Sequence, residues 1–368
     1  MFGSACLLAA VTGCTDPGPG DAAAPDEAQV AQDATVTGMA ISGTQLLRDG
    51  AVFVPRGFNM IGALTPAWCN QGSGVQARTH YGTTELTAAI NTWHANTIRL
   101  QVSQRGLEDP TLTADQRAAY LSAIHTDVSL ARGLGLVVIL SMQDQSIGCG
   151  PVHLLPSQQT VDAWNVLAPS FASSPYVMFE LFNEPQNTDS AAAWEQWRIG
   201  GTTPITTADN LGDAPVGFQT LVNTVRAAGA KNVVLADGAL HAEHFDGLAS
   251  HLLTEQTGGH GIGYAFHPYY YTPGTTYWQN SWGYLAATRF IIATEWDYQS
   301  DDCGTTAQSL APAFLTWLEG KHIGMTAHAF DVLGTQVADW SWTPTQCGTA
   351  SGGSGADLKA WFTHLAGG

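Results

Sequence analysis

Two carboxylates in this sequence stand where they could share one reaction. The runs Phe179-Glu180-Leu181-Phe182-Asn183-Glu184-Pro185 and Ile291-Ile292-Ala293-Thr294-Glu295-Trp296-Asp297 each carry a glutamate just past a short apolar stretch. A lone glutamate there reads as a solvated loop residue. Two of them, one preceded by Asn183 and one flanked by Trp296, can do acid–base and nucleophilic work on one substrate if the fold brings the stretches together.

The elements that must position them read as strands separated by helices. Strand-like runs lie at 51–60, 97–102, 136–142, 177–182, 232–236, 263–267, 290–294 and 324–330, and a small hairpin turned at Arg48-Asp49-Gly50 precedes the first. The clearest helix is 113–132, with Thr113 and Asp115 as caps; 309–318 and 356–365 are others. Eight strands alternating with helices, several of the strands nearly all apolar, predict a single (β/α)8 TIM barrel of class α/β. A doubly wound open sheet is the alternative, but no glycine-rich phosphate fingerprint follows the first strand. In such a barrel the chemistry sits at the C-terminal strand ends, and both glutamates are there.

The net charge of −18 argues against nucleic acid as a partner and against anionic membrane surfaces. The 12 Trp residues suit either a core or a sugar-binding cleft, whose flat rings pack on pyranose faces. Residues 1–14 read as a lipoprotein-type signal segment: a short apolar run ends in Val11-Thr12-Gly13-Cys14, similar to a bacterial lipobox, with Cys14 as the lipidation candidate. No Lys or Arg precedes that run. Residues 15–36, rich in Pro, Gly, Ala and Asp, read as a disordered tether. The catalytic domain is then 37–368, exported and extracellular or lipid-anchored at the cell surface. Cys69, Cys149, Cys303 and Cys347 are disulfide candidates, and the barrel reading favours Cys303–Cys347 because their loops follow neighbouring strands.

Asn183-Glu184-Pro185 on the fourth strand and Glu295 on the seventh resemble glycoside hydrolase family 5, the broad family of cellulases and mannanases. So do Gly43-Thr44-Gln45-Leu46 through Arg56-Gly57-Phe58-Asn59, Asn96-Thr97-Ile98-Arg99-Leu100, and His267-Pro268-Tyr269. The resemblance runs from about Gly43 to Leu365. It implies a retaining hydrolase of β-linked glycans, endo-acting on β-glucan or β-mannan, with no cofactor and no metal. Glu184 would be the general acid and then the base, and Glu295 the nucleophile, with carboxyl groups roughly 5–5.5 Å apart. Glu184 must enter protonated and Glu295 ionised. Arg99 would keep Glu295 charged, Tyr269 would donate a hydrogen bond to it, Asn183 would bind the sugar 2-hydroxyl, and His267 would manage the proton of Glu184.

Two positions depart from the family pattern. Past the third strand, Gln143 stands where many members have His, and His153 further along is a substitute. At the eighth strand the family usually has a Trp under the substrate; here Phe330 is the nearest aromatic, with Trp340 and Trp342 in the following loop able to floor the cleft. Trp68, Trp278, Trp282 and Trp296 are further platform candidates, each more often core. His241 and His244 have ligand-like spacing in what reads as a helical start, but no third ligand is in sight. The rival functions are a non-catalytic glycan-binding lipoprotein on an enzyme-derived barrel, and a metal-dependent hydrolase, for which Phe58-Asn59-Met60 offers no His-x-His.

Overall fold

The computed structural model describes residues 36–64, 80–144, 153–187, 190–203 and 213–367. Cys14, Cys69, Trp68 and Cys149, the signal segment and nearly all of the tether lie outside these. Eight parallel strands close into a barrel: β4 (Arg56–Met60), β5 (Thr97–Ser103), β6 (Val137–Gln143), β7 (Val177–Glu180), β8 (Val234–Asp237), β9 (Ile262–Phe266), β10 (Ile291–Ala293) and β11 (Gly324–Ala327). Ahead of them, β1 (Met39–Ser42), β2 (Gln45–Arg48) and β3 (Ala51–Val52) form a small antiparallel sheet. The expected run 51–60 is thus two strands. Ala51–Val52 pairs back on β2, and Pro55, which has no N–H to donate, separates it from β4. Asp49 and Gly50, both at positive φ, make the predicted tight turn.

Side chains alternate between two cores, as the two-residue period of a strand demands. Val137, Ile139, Met178, Val233, Leu235, Ala265 and Ile292 point into the barrel, where Met39 and Leu46 of the small sheet join them. Val138, Leu140, Phe179, Val234, Ala236, Phe266 and Ala293 point outward into the layer of helices. The small sheet therefore plugs the lower mouth, held by Met39 N–H to Pro175 O and Ile41 N–H to His260 O, each at 2.8 Å. Gly57 permits the close approach of β4 to β5, since a Cβ there would lie 1.7 Å from the carbonyl oxygen of Thr97.

The helices also fix the upper strand ends. Helix Ala114–Gly133 opens with a capping box between Thr113 and Gln116, and buries Tyr120, Ile124, Val128 and Ala131 at helical spacing. Its Tyr120 hydroxyl accepts from Ser103 N–H at 2.7 Å, at the end of β5. Trp164 Nε1–H, from helix Gln158–Phe171, donates to Leu181 O at 2.8 Å, just past β7. Trp197 Nε1–H, from helix Ala191–Ile199, donates to Asp237 O at 2.9 Å, the last residue of β8. A Cys303–Cys347 disulfide joins the loops after β10 and β11, the favoured pairing. No helix among the described residues is long and apolar enough to cross a membrane.

Candidate active site

Polar residues replace aliphatic ones at the inward positions of the upper barrel. On β5 these are Arg99 and Gln101, on β6 Ser141 and Gln143, and on β7 Glu180. Arg99 is fully buried and is the hub. Its Nε–H donates to Glu180 Oε2 at 2.5 Å; Nη1 donates to Asn59 Oδ1 at 3.3 Å and Glu295 Oε1 at 2.6 Å; Nη2 donates to Ser141 Oγ at 2.9 Å and Asn183 Oδ1 at 2.7 Å. All five guanidinium donors are thereby engaged. Burial alone would lower its pKa, but the carboxylates of Glu180 and Glu295 raise it.

Glu295, just beyond β10, is 5% exposed. Its Oε2 accepts from the Tyr269 hydroxyl at 2.9 Å and lies 3.3 Å from His328 Nδ1. Burial would push this carboxyl up, but His267, Arg99 and His328 outweigh it and hold Glu295 well below the usual carboxylate range. Burial, with Glu295 beside it, pushes Tyr269 well up, so its hydroxyl stays a donor. Burial alone would lower the His328 pKa; the Glu295 carboxylate 3.3 Å away and the charges of Asp297 and Asp331 raise it. Asp297, two residues past Glu295, is raised to about 6 by burial.

Glu184 lies across the cleft and is more open, its side chain 24% exposed. Its backbone sits at φ 51°, a left-handed conformation costly for a residue with a Cβ and most often kept where a site requires it. His267 Nδ1 is 3.0 Å from Glu184 Oε1, and Nε2 is 3.1 Å from Thr294 Oγ1. Glu184, His267 and Glu295 each present an atom within 4.8 Å of the others. Glu180, Asp237 and His267 do the same one layer below. Either set offers metal-ligand atoms, but the Arg99 guanidinium already supplies the positive charge beside Glu180 and Glu295.

The structure brings together Arg99, Asn183, Glu184, His267, Tyr269 and Glu295. Gln143 is buried and donates to Ser141 Oγ at 3.0 Å, one step from Arg99. His153 is held elsewhere, between Asp144 at 2.8 Å and Asp213 at 2.9 Å. Two aromatic expectations need correction. Phe330 is in the core against Phe58 and Trp93, because the chain past β11 turns its side chain under the barrel wall. Trp296 is wholly buried against Tyr271 and Phe314, on the opposite side of the chain from Glu295. Trp278 and Trp282 are core as well. Trp340 stacks on His80 with ring centroids 3.3 Å apart, and Trp342 packs against the core, its carbonyl accepting from Trp93 Nε1–H. The segment of His241 and His244 is no helical start: Leu240, His241 and Ala242 all have positive φ, and His244 pairs with Asp246.

Sequence reading missed Glu180, Asp237 and His328. The first was legible as the same alternation that puts Arg99, Gln101 and Ser141 inward. His328 directly follows β11, one residue past the strand's last, Ala327.

The family model described as cellulase (glycosyl hydrolase family 5) matches residues 56–333. No curated protein sequence shows a significant match. Among solved structures, a β-glucanase from Saccharophagus degradans in complex with cellotetraose superposes with a TM-score of 0.66 at 21% identity, covering 94% of this chain and 98% of that one. An endocellulase from Pyrococcus horikoshii in complex with cellotetraose superposes with a TM-score of 0.62 at 14% identity, covering 89% and 99%. The major endoglucanase of Xanthomonas campestris pv. campestris, as its catalytic domain, gives 0.60 at 14% identity, covering 90% and 100%. With the matched segment spanning the whole barrel from β4 past β11, the chain belongs to the cellulase family, glycosyl hydrolase family 5, and is an O-glycosyl hydrolase.

Proposed function

We propose that this enzyme cleaves β-glucan internally, with retention of configuration, using Glu184 as acid/base and Glu295 as nucleophile. The observation that carries this reading is the pair itself. One carboxylate is buried and held ionised by Arg99 and His328, the other is more open beside His267, and their nearest oxygens lie within 4.8 Å. That spacing leaves no room for a water between carboxylate and sugar, and suits a covalent route. The cellotetraose complexes of the two similar glucanases support β-glucan as the substrate class.

Glu184 gives its proton to the leaving glycosidic oxygen while a Glu295 oxygen bonds to the anomeric carbon. Glu184 then takes a proton from water, whose oxygen displaces Glu295 from the same carbon. Arg99 and Tyr269 keep the Glu295 lone pair aimed and ionised. Because Asn183 Oδ1 accepts from Arg99, its Nδ2 is the side left to donate to the sugar 2-hydroxyl. The test is sugar release by the 37–368 domain from β-glucan, β-mannan, xylan and aryl glycosides, with the anomer of the first product read by NMR. β-Glucan cleavage with a β product, absent in Glu295→Gln, is expected. Release that survives Glu295→Gln sinks the nucleophile assignment, and an α product sinks retention.

We also infer that the domain works outside the cytoplasm, tethered through Cys14. The Cys303–Cys347 disulfide suits an oxidising compartment. Incorporation of labelled palmitate that Cys14→Ala abolishes would support the anchor, and no incorporation would remove it.

A further inference from the structure

Beneath the two glutamates lies a second pair of carboxyls, Glu180 and Asp237, both fully buried. Their hydrogen-bond accounts do not close if both are ionised. Glu180 Oε2 takes Nε–H of Arg99, and Asp237 Oδ2 takes the backbone N–H of Glu184 at 3.0 Å. Among the described residues, none donates a hydrogen bond to Glu180 Oε1 or Asp237 Oδ1. Arg99 has none left to give, since its five N–H groups are committed. Trp197 Nε1–H goes to the Asp237 carbonyl, and His267 Nε2 is 3.9 Å from Asp237 Oδ2 but 3.1 Å from Thr294. Each of the two carboxyls presents an oxygen within 4.8 Å of the other; two carboxylates so close in a dry site, with no cation for the second, would each carry a large desolvation penalty and repel one another.

We propose that Asp237 is a positioning residue that works as a neutral carboxylic acid: its Oδ1–H donates to Glu180 Oε1 while its Oδ2 holds the backbone of the acid/base Glu184. The proton belongs on Asp237 because Glu180 has the guanidinium at 2.5 Å and Asp237 does not. Burial and the neighbouring Glu180 push the Asp237 pKa well up, and Arg99 holds Glu180 down against burial, which agrees with this placement. The chain Arg99–Glu180–Asp237–Glu184 then ties the residue that keeps the nucleophile charged to the backbone that aims the acid. It also explains how Glu184 is kept at positive φ: the N–H bond to Asp237 is made in that conformation. The role rests on Glu184 being the acid/base, whereas the protonation state does not.

The experiment uses infrared difference spectroscopy and kinetics on Asp237→Asn and Asp237→Leu. Asparagine reproduces both bonds, its amide donating to Glu180 and its oxygen accepting from Glu184. Asp237→Asn should therefore keep kcat/KM within about threefold and leave the pH profile in place. Asp237→Leu makes neither bond, and should lower kcat about 100-fold with KM nearly unchanged, as a displaced catalytic group does. Above pH 8, where Asp297 and Asp331 at about 6 and Glu108 at about 7 have ionised, the wild-type protein should retain a protonated-carboxyl stretch that is absent in Asp237→Asn. That band needs no substrate, so it tests the shared proton even if Glu184 proves not to be the acid. A wild-type spectrum without the band, or an Asp237→Asn enzyme as impaired as Asp237→Leu, would overturn the proposal.

Discussion

The lower and upper halves of the barrel interior are made by the same strands yet solve opposite problems. Below, Ile139, Met178, Leu235 and Ile292 meet Met39 and Leu46 of the plug, and the contacts are aliphatic. Above, two residues further along β7, Met178 gives way to Glu180, and on β6 Ile139 gives way to Ser141. Apolar burial stabilises the lower layer without specifying any direction. The upper layer bears the cost of burying Arg99 and several carboxyls, and in return each group points one way. The difference teaches that the upper layer works by orientation, and the lower layer supplies the stability that lets it exist.

Arg99→Met should break the upper layer with the largest effect. It leaves Glu180 and Glu295 as buried anions with no guanidinium, a change that costs about 3–5 kcal/mol. Urea unfolding should show that loss, and the kcat/KM of whatever remains folded should collapse. A stable, active Arg99→Met enzyme would show that the network is dispensable. Met178→Ala should break the lower layer instead. It removes about 2–5 kcal/mol of stability by leaving a cavity, while kcat/KM below the melting transition stays near wild type. If Met178→Ala lost activity without losing stability, the lower layer would itself take part in orienting the site. The double change Cys303→Ser with Cys347→Ser ranks next. The bond closes a loop with a sequence separation of 44, and its loss should cost about 2–4 kcal/mol, measured as a lower Tm with unchanged KM.

The barrel and the two glutamates were legible because both rest on local pattern. Buried parallel strands write apolar runs into the sequence, and a strand-end carboxylate is visible at the end of its run. The break at Pro55 was missed when 51–60 was read as one run, although a proline inside a strand argues against continuity. Which way a side chain turns after a strand was not legible. Trp296 directly follows Glu295, and consecutive residues of extended chain face opposite sides, which sends its ring to the helices. Past β11 that alternation does not hold: Phe330 turns into the core, while His328, two residues earlier, stands beside Glu295. Asp237 was hidden for a different reason: its meaning depends on Glu180, Arg99 and the backbone of Glu184, which meet only when the barrel closes.

Phe330→Leu sharpens this point with a small effect. A core ring against Phe58 and Trp93 exchanged for a smaller apolar side chain should lower stability by about 1 kcal/mol. KM for glucan should not change. A large rise in KM would return Phe330 to the cleft and make the described packing wrong.

His328→Asn should have the subtlest effect, visible only along the pH axis. Burial works to raise Glu295, and His267, Arg99 and His328 together work to lower it. Removing the imidazole charge should let the Glu295 pKa rise part of the way back, so the acidic limb of kcat/KM moves to higher pH while activity near neutrality is little altered. Stability gives an independent reading with a definite sign. Glu295 is depressed in the fold, so its contribution is present above the ordinary value of 4.5 and is lost as pH falls through its folded value. His328 is raised in the fold, so its contribution is present below the ordinary value of 6.5 and is lost as pH rises through its folded value. Both are ionised together between those limits, so the stability gap between wild type and His328→Asn should be widest at about pH 5–6 and narrow on either side. A gap that is flat across this range, with an acidic limb that does not move, would mean that His328 stands beside the nucleophile without acting on it.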